Sequence, residues 1–374
     1  MSAGRQPPFR ADHVGSLLRP TEVRQARDDH QAGRITAQQL RAIEDTAIRR
    51  VVKMQEDIGL QGVTDGEIRR TSWHMDFFYQ IAGVGKLPEK VRVPFHRGEE
   101  HLEFTADAVG INDKVRLTKT IFGEDFAFLK SVATATPKLT IPSPSVLHGT
   151  MNRVSGPAAY NKIYPRGEDL IADLAAAYRE EIAGLASLGC TYLQLDDTTF
   201  AGLCDPDGRA AYAKGGADAD TRHLTYIDLV NRSLRNKPAG MTICTHTCRG
   251  NYRSAWFASG AYDFVAEPLF SQLAVDGFFL EYDDARSGGF EPLRFVPKGK
   301  MVVLGLVTTK RPELESKDML KRRIDEAAKY VPLGQLCLSP QCGFSSTHEG
   351  NVLTEAQQMA KLRLVVETAQ EVWG

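Results

Sequence analysis

Short β-branched or apolar runs recur along this chain, and most are followed by a longer segment of helical period. That alternation constrains the fold more than any other feature. Eight runs read as strands: Arg10 to Leu17, Gly62 to Glu67, Lys138 to Leu147, Tyr192 to Asp197, Met241 to Cys248, Phe278 to Asp283, Met301 to Thr308 and Leu336 to Cys342. Helical periodicity is clearest over Thr36 to Ile58, Glu168 to Leu188, Leu224 to Arg235, Lys317 to Tyr330 and Thr354 to Trp373. Apolar strands alternating with helices predict a parallel sheet covered on both faces, and eight such units predict a (β/α)8 TIM barrel. A doubly wound sheet needs the same alternation, but no strand runs into a GxGxxG turn.

With 374 residues, 42% of them hydrophobic, the chain can bury a core without disulfides, and residues 1–374 read as a single barrel domain. The segment from about 85 to 118 breaks the rhythm. Its VRVPF and EFTADAVGIND stretches predict a β-hairpin insertion after the second strand, read first as a surface excursion over a barrel end, with a substrate lid or dimer contact as alternatives. Lys plus Arg number 46 against 47 Asp plus Glu, which gives no electrostatic reason to expect nucleic acid or an anionic membrane as partner. No run of about 18 apolar residues predicts a membrane span. The opening MSAGRQPPFRADHVGS lacks an apolar signal core, so a cytoplasmic location is expected. A homodimer is left open.

Six cysteines (190, 204, 244, 248, 337 and 342) are too few for a disulfide scaffold and read as thiols or metal ligands. On a strand, residues two apart share a face, so His246 and Cys248 point the same way at the end of the fifth expected strand. Cys342 ends the eighth and Glu281 the sixth, which puts all four at the carboxyl rim where barrel active sites are built. An imidazole, two thiolates and a carboxylate make a tetrahedral zinc set. The competing reading packs both cysteines as small hydrophobes and His246 as a satisfied core histidine. Cys190, Cys244 and Cys337 read as packing residues, and Cys204 as structural.

Taken together, HVGSLLRP, TDGEIRR, LQLDD, HTC, FLEYDDARSGGFEPLRFVPKGK and SPQCGFSSTHEGN resemble the catalytic carboxyl-terminal half of cobalamin-independent methionine synthase. They resemble more closely the short single-barrel proteins described as methionine synthase II-like. The resemblance covers essentially the whole chain and implies a barrel of the kind shared with uroporphyrinogen decarboxylase. It matches His246, Cys248, Glu281 and Cys342 to zinc ligands, with Glu267 as a rival carboxylate. It also matches Glu67 and Asp196 to the carboxylates that grip the homocysteine ammonium, and Gly15 and Ser16 to the loop whose amides hold its carboxylate. The implied activity is zinc-dependent methyl transfer to the thiol of homocysteine, or a close thiol, from a methylated folate or methyl-carrying protein.

The physical logic is direct. Zinc held by two cysteinates and a glutamate carries net negative formal charge, a weak Lewis acid that still ionises a coordinated thiol and leaves its sulfur nucleophilic. Departures from the synthase fall after the seventh strand, where Val-Thr308-Thr309-Lys310-Arg-Pro replaces Tyr-Asp-Ile-His-Ser-Pro, so the family's proton-delivering histidine is missing. Lys310 could serve an anionic donor or a sulfonated thiol, or cap a helix in solvent. His74 and His348 are candidate general acids, and His13 a candidate pocket residue. Trp73, Phe77, Phe78 and Tyr79 could stack on a pterin or pack on the barrel. Epoxyalkane to coenzyme M transfer uses the same metal chemistry and is the nearest alternative; a non-catalytic zinc or thiol sensor is the other.

Overall fold

The structure is a computed structural model, and it describes residues 6–154, 156–214 and 218–374. Among these, nine strands occur: β1 (Gly62–Val63), β2 (Ala82–Arg97), β3 (Glu100–Arg116), β4 (Thr136–Pro142), β5 (Tyr192–Asp197), β6 (Thr242–Thr247), β7 (Gly277–Glu281), β8 (Met301–Val307) and β9 (Leu336–Pro340). Seven form one parallel sheet in the order β1-β4-β5-β6-β7-β8-β9, while β2 and β3 form a separate two-stranded sheet. The fold is α/β, with a parallel sheet whose sequential strands are neighbours.

The expected first strand is a correction. Arg10 to Leu17 makes one parallel bridge, Ala11 to Leu338. The Asp12 N–H donates to the Leu338 carbonyl at 3.0 Å, and the Leu338 N–H to Arg10 at 2.8 Å. Past that point the Asp12 carboxylate accepts the N–H groups of Phe9 and His13, and Gly15 adopts φ 140°, so the chain turns out of the ladder. Leu17 then donates to the Gly66 carbonyl at 3.0 Å, which brings the segment against the loop after β1. The expected strand over Lys138 to Leu147 is also too long. It stops at Pro142, and Pro144–Val154 is a helix opened by that second proline.

The five expected helices all form, at Ala37–Ile58, Gly167–Ser187, Arg222–Ser233, Lys317–Ala327 and Glu355–Trp373. Thr36 and Thr354 start two of them with reciprocal capping boxes to Gln39 and Gln357.

Period-two alternation sorts each strand. Leu193, Leu195, Ile243, Phe278 and Leu280 face the helices in the main core. Tyr192, Cys244, Phe279, Val303 and Cys337 form a second packed layer on the opposite face. Cys190, Cys204, Cys244 and Cys337 are all buried, as packing residues should be. Lys138 is buried in that second layer, its ammonium 3.0 Å from Asp12, which also accepts from the Tyr192 hydroxyl at 2.7 Å.

One helix-to-strand clamp gives a stability test. The fully buried Gln55 side chain donates to the Val51 and Thr64 carbonyls and accepts from the Thr64 N–H, all within 2.9 Å. Gln55→Ala strands those backbone groups and is expected to cost about 1–3 kcal/mol in urea denaturation. A value within about 0.5 kcal/mol of wild type, the range of inert surface changes, would refute the clamp.

The β2–β3 ribbon runs from residue 82 to 116 around a turn at Gly98, φ 60°, close to the expected span but with longer strands. Its register places Val91 opposite Ala106 and Val93 opposite Phe104, so these four share one face.

Candidate metal centre and adjoining pocket

The face that carries the Tyr192 layer carries the site further along each strand. Two and four residues beyond Tyr192 stand Gln194 and Asp196; two and four beyond Cys244 stand His246 and Cys248; two beyond Phe279 is Glu281. Parallel register sets Asp196 directly beside His246. Cys342 lies just past β9. The ligand atoms of His246, Cys248, Glu281 and Cys342 all fall within 4.8 Å of one another, and all four residues are buried. The two sulfurs are 3.6 Å apart. Glu267 is exposed on the helix Asp263–Gln272 and stands outside this group.

Hydrogen bonds orient the cluster from outside. The Arg249 N–H donates to Glu281 Oε1 at 2.8 Å, Arg286 Nη2 to Oε2 at 3.1 Å, and the Gly250 N–H to Cys248 Sγ at 3.3 Å. Neither ring nitrogen of His246 is satisfied by a nitrogen or oxygen partner, which leaves the ring open to an ion, and the Cys342 sulfur is its main favourable neighbour. The hydrogen bond from Cys248 holds Cys342 well below the usual thiol range against burial, and the same contact pushes Cys248 up. Burial pulls His246 down, but the Cys342 sulfur and the Asp196 and Glu281 carboxylates reverse this and raise it. Burial, then the Cys342 sulfur, raises Glu281. Four anionic or neutral donors gathered in a buried site fit a soft or borderline divalent cation.

Beside the cluster lies a cavity of about 110 Å³, lined at its polar part by Ser16, Glu67, Asp196, His246, Cys248 and Cys342. Glu67 holds φ 56°, a strained backbone for a side chain that is not glycine. Its Oε1 accepts from Thr140 Oγ1 at 2.8 Å and lies 3.6 Å from Arg70, while the buried Oε2 has no hydrogen-bond partner. Burial raises Glu67. Burial raises Asp196 to about 7, opposed by His246 and reinforced by Glu67. Asp197 faces the other way, accepting the N–H groups of Thr199 and Phe200 at a helix start. Gly15 is obligatory: a Cβ there would meet Thr140 Cγ2 at 2.6 Å. Ser16 Oγ accepts from the Ser345 N–H at 3.3 Å.

The other candidates scatter. His74 lines the cavity, its Nδ1 3.0 Å from Ser72 Oγ. His348 is half exposed and lies 3.4 Å from Glu349. His13 is buried away from the cavity, and burial followed by Lys138 lowers it to about 4. Lys310 donates to the Gly250 carbonyl at 2.9 Å and Asn251 Oδ1 at 3.1 Å, so it braces the loop after Cys248 and is not a helix cap in solvent. Phe77 and Phe78 are core, whereas Trp73 lines the cavity. Sequence reasoning missed Asn251, Tyr252, Phe257 and the ribbon's Val91, Val93, Phe95, Phe104 and Ala106, all of which line it. The advance signals were VRVPF and EFTADAVGIND, whose alternate apolar residues had to cover something.

A parallel α/β fold with a His/Cys/Glu/Cys cluster at the strand carboxyl ends defines a class of candidate metal-dependent enzymes. Comparison narrows that class: the family described as cobalamin-independent synthase, catalytic domain, matches residues 159–371. The chain belongs to this family. It is 47% identical over 371 residues to the uncharacterized Bacillus subtilis protein YxjH, covering 99% of this chain and 96% of that one. It is 25% identical over 339 residues to a methionine synthase of Saccharolobus solfataricus, covering 88% and 86%. A solved Listeria monocytogenes structure, a putative vitamin-B12 independent methionine synthase, superposes with TM-score 0.77 at 38% identity over the whole of both chains. A B12-independent methionine synthase from a Shewanella species, in complex with selenomethionine, shares the fold at TM-score 0.72 and 20% identity, covering 96% of each chain.

Proposed function

We propose that this chain is a zinc-dependent methyltransferase that methylates the thiol of homocysteine, or a close amino-acid thiol. The observation that carries this reading is the convergence of His246, Cys248, Glu281 and Cys342 beside a cavity that also contains Glu67 and Asp196. Those four side chains would hold zinc, which supplies a substrate thiolate at neutral pH. The cluster's own negative charge keeps electron density on that sulfur, and burial excludes water from it. Glu67 and Asp196 would accept the substrate ammonium: raised by burial, they regain their ordinary ionisation when a cation arrives. The orphaned Glu67 Oε2 is a ready acceptor. Ser16 would meet the substrate carboxylate. His74 is the better-placed candidate for proton delivery, since it lines the cavity and His348 does not. The segment from Arg10 to Leu17, touching β9 at one end and the loop after β1 at the other, would close the sheet into a (β/α)8 barrel, with the β2–β3 ribbon inserted after the second stave.

The amino-acid grip favours homocysteine over a sulfonated thiol, because Lys310 is engaged by the Gly250 carbonyl and Asn251. Titrating zinc-loaded protein with homocysteine in buffers of different ionisation enthalpy tests the core of the reading. About one proton should leave per thiol bound. Binding without proton release would overturn it, and coenzyme M binding more tightly than homocysteine would favour the epoxyalkane alternative.

A further inference from the structure

The cavity has two unlike parts. Glu67, Asp196 and Ser16 supply charge and hydrogen bonds, whereas Val91, Val93, Phe95, Phe104 and Ala106 of the ribbon supply apolar surface. These five are the ribbon's uncharged lining residues. Lys90, Arg92 and Glu103 on its other face are exposed, and Asp107, its one charged residue at the cavity, is paired with Lys86 and Lys90. A two-stranded ribbon is marginally stable alone, so its position must be fixed by what it packs on. Its base is held by Val109, Ile111 and Val115 in the main core, and its tip half by the chain just after Cys248. His96 and Trp256 exchange backbone hydrogen bonds at 2.7 and 3.0 Å. Phe95 packs on Tyr252 and Phe257 with ring centroids 5.6 and 5.7 Å apart, and Phe104 on Tyr252 at 5.2 Å. Gly250 is left no room for a side chain, since a Cβ would meet Phe257 Cδ1 at 2.2 Å. The apolar face is therefore held in register with the sulfur ligand itself.

We infer that this face is the donor-side wall of the active site, and that Val93, Phe95 and Phe104 set the size of the uncharged alkyl group admitted to the sulfur. This rests on the thiolate reading above. A wall without a free charge beside a nucleophilic sulfur suits an uncharged electrophilic carbon, because desolvating a charged donor there would go uncompensated. In the transfer the sulfur lone pair forms the new carbon–sulfur bond, and the bond from carbon to its carrier breaks with its pair on the carrier. The proton of the thiol has already gone to solvent, and no redox change occurs.

The test uses zinc-loaded protein and two apolar probes, fluorobenzene and 1-fluoronaphthalene, with binding read by 19F NMR. Wild type should bind fluorobenzene. Val93→Trp fills the wall and should weaken fluorobenzene at least about tenfold, whereas Phe104→Ala opens it and should shift preference toward fluoronaphthalene by about as much. Arg92→Ala, on the outer face, should change neither. No fluorobenzene binding by wild type would overturn the proposal, as would unchanged binding in both wall variants. Equal weakening of both probes in both variants would do the same, since that is the mark of a ribbon merely dislodged. Zinc content and homocysteine-linked proton release are measured on the same samples. Failure of proton release in wild type sinks the thiolate reading, while the probe pattern reports on the wall by itself.

Discussion

Replacing Cys342 by serine is expected to abolish metal binding and methyl transfer together while leaving the fold unchanged. Cys342 lies past the end of β9, 3.6 Å from Cys248 and within 4.8 Å of the other ligand atoms. It takes no part in the packed layers around Tyr192 or Leu193. Serine keeps the shape but gives up the thiolate, the softest donor of the set. Losing mere outer partners of a metal ligand costs about 10–100-fold in affinity, so losing a ligand should cost at least about 100-fold. Cys248→Ser should behave alike. Metal content by atomic spectroscopy, turnover, and circular dichroism would be compared. Normal turnover with bound zinc would remove Cys342 from the ligand set, and an unfolded variant would place it in the core.

The second large effect is expected from Glu67→Gln combined with Asp196→Asn. Both changes keep volume and hydrogen-bonding shape but remove the charge offered to a substrate ammonium. Hydrogen bonds to charged groups contribute about 1.5–3 kcal/mol each. The double variant should therefore raise the KM for homocysteine on the order of 10²–10⁴-fold. Zinc content should not change, since neither residue belongs to the ligand cluster. A wild-type KM would contradict the grip, whereas loss of zinc would move Asp196, the neighbour of His246, into a metal-supporting role.

Much of this was legible in the chain. The five helices and the strands from Tyr192 onward follow from periodicity, because an amphipathic segment that buries one face has little choice of conformation. Asp196 and Asp197 show how far that logic reaches: alternation sent one to the cavity and the other to a helix start. The segment from Arg10 to Leu17 failed the same logic, because the Asp12 side chain competes with the ladder for backbone N–H groups, a local contest that apolar pattern does not record.

The chemistry of the donor set was likewise written in HTC, FLEYDD and SPQCG, since ligand identity is a property of residue type and strand parity. Three matters were decided only by tertiary packing. The choice of Glu281 over Glu267 depends on which carboxylate reaches two sulfurs from other strands. The contact of Lys310 with the loop after Cys248 depends on oxygens about sixty residues away in sequence. The ribbon's role depends on what its apolar face meets. A strand's own residues fix which way its side chains point, but what lies opposite is supplied by distant chain, and contact between them is what turns a surface excursion into a wall of the site.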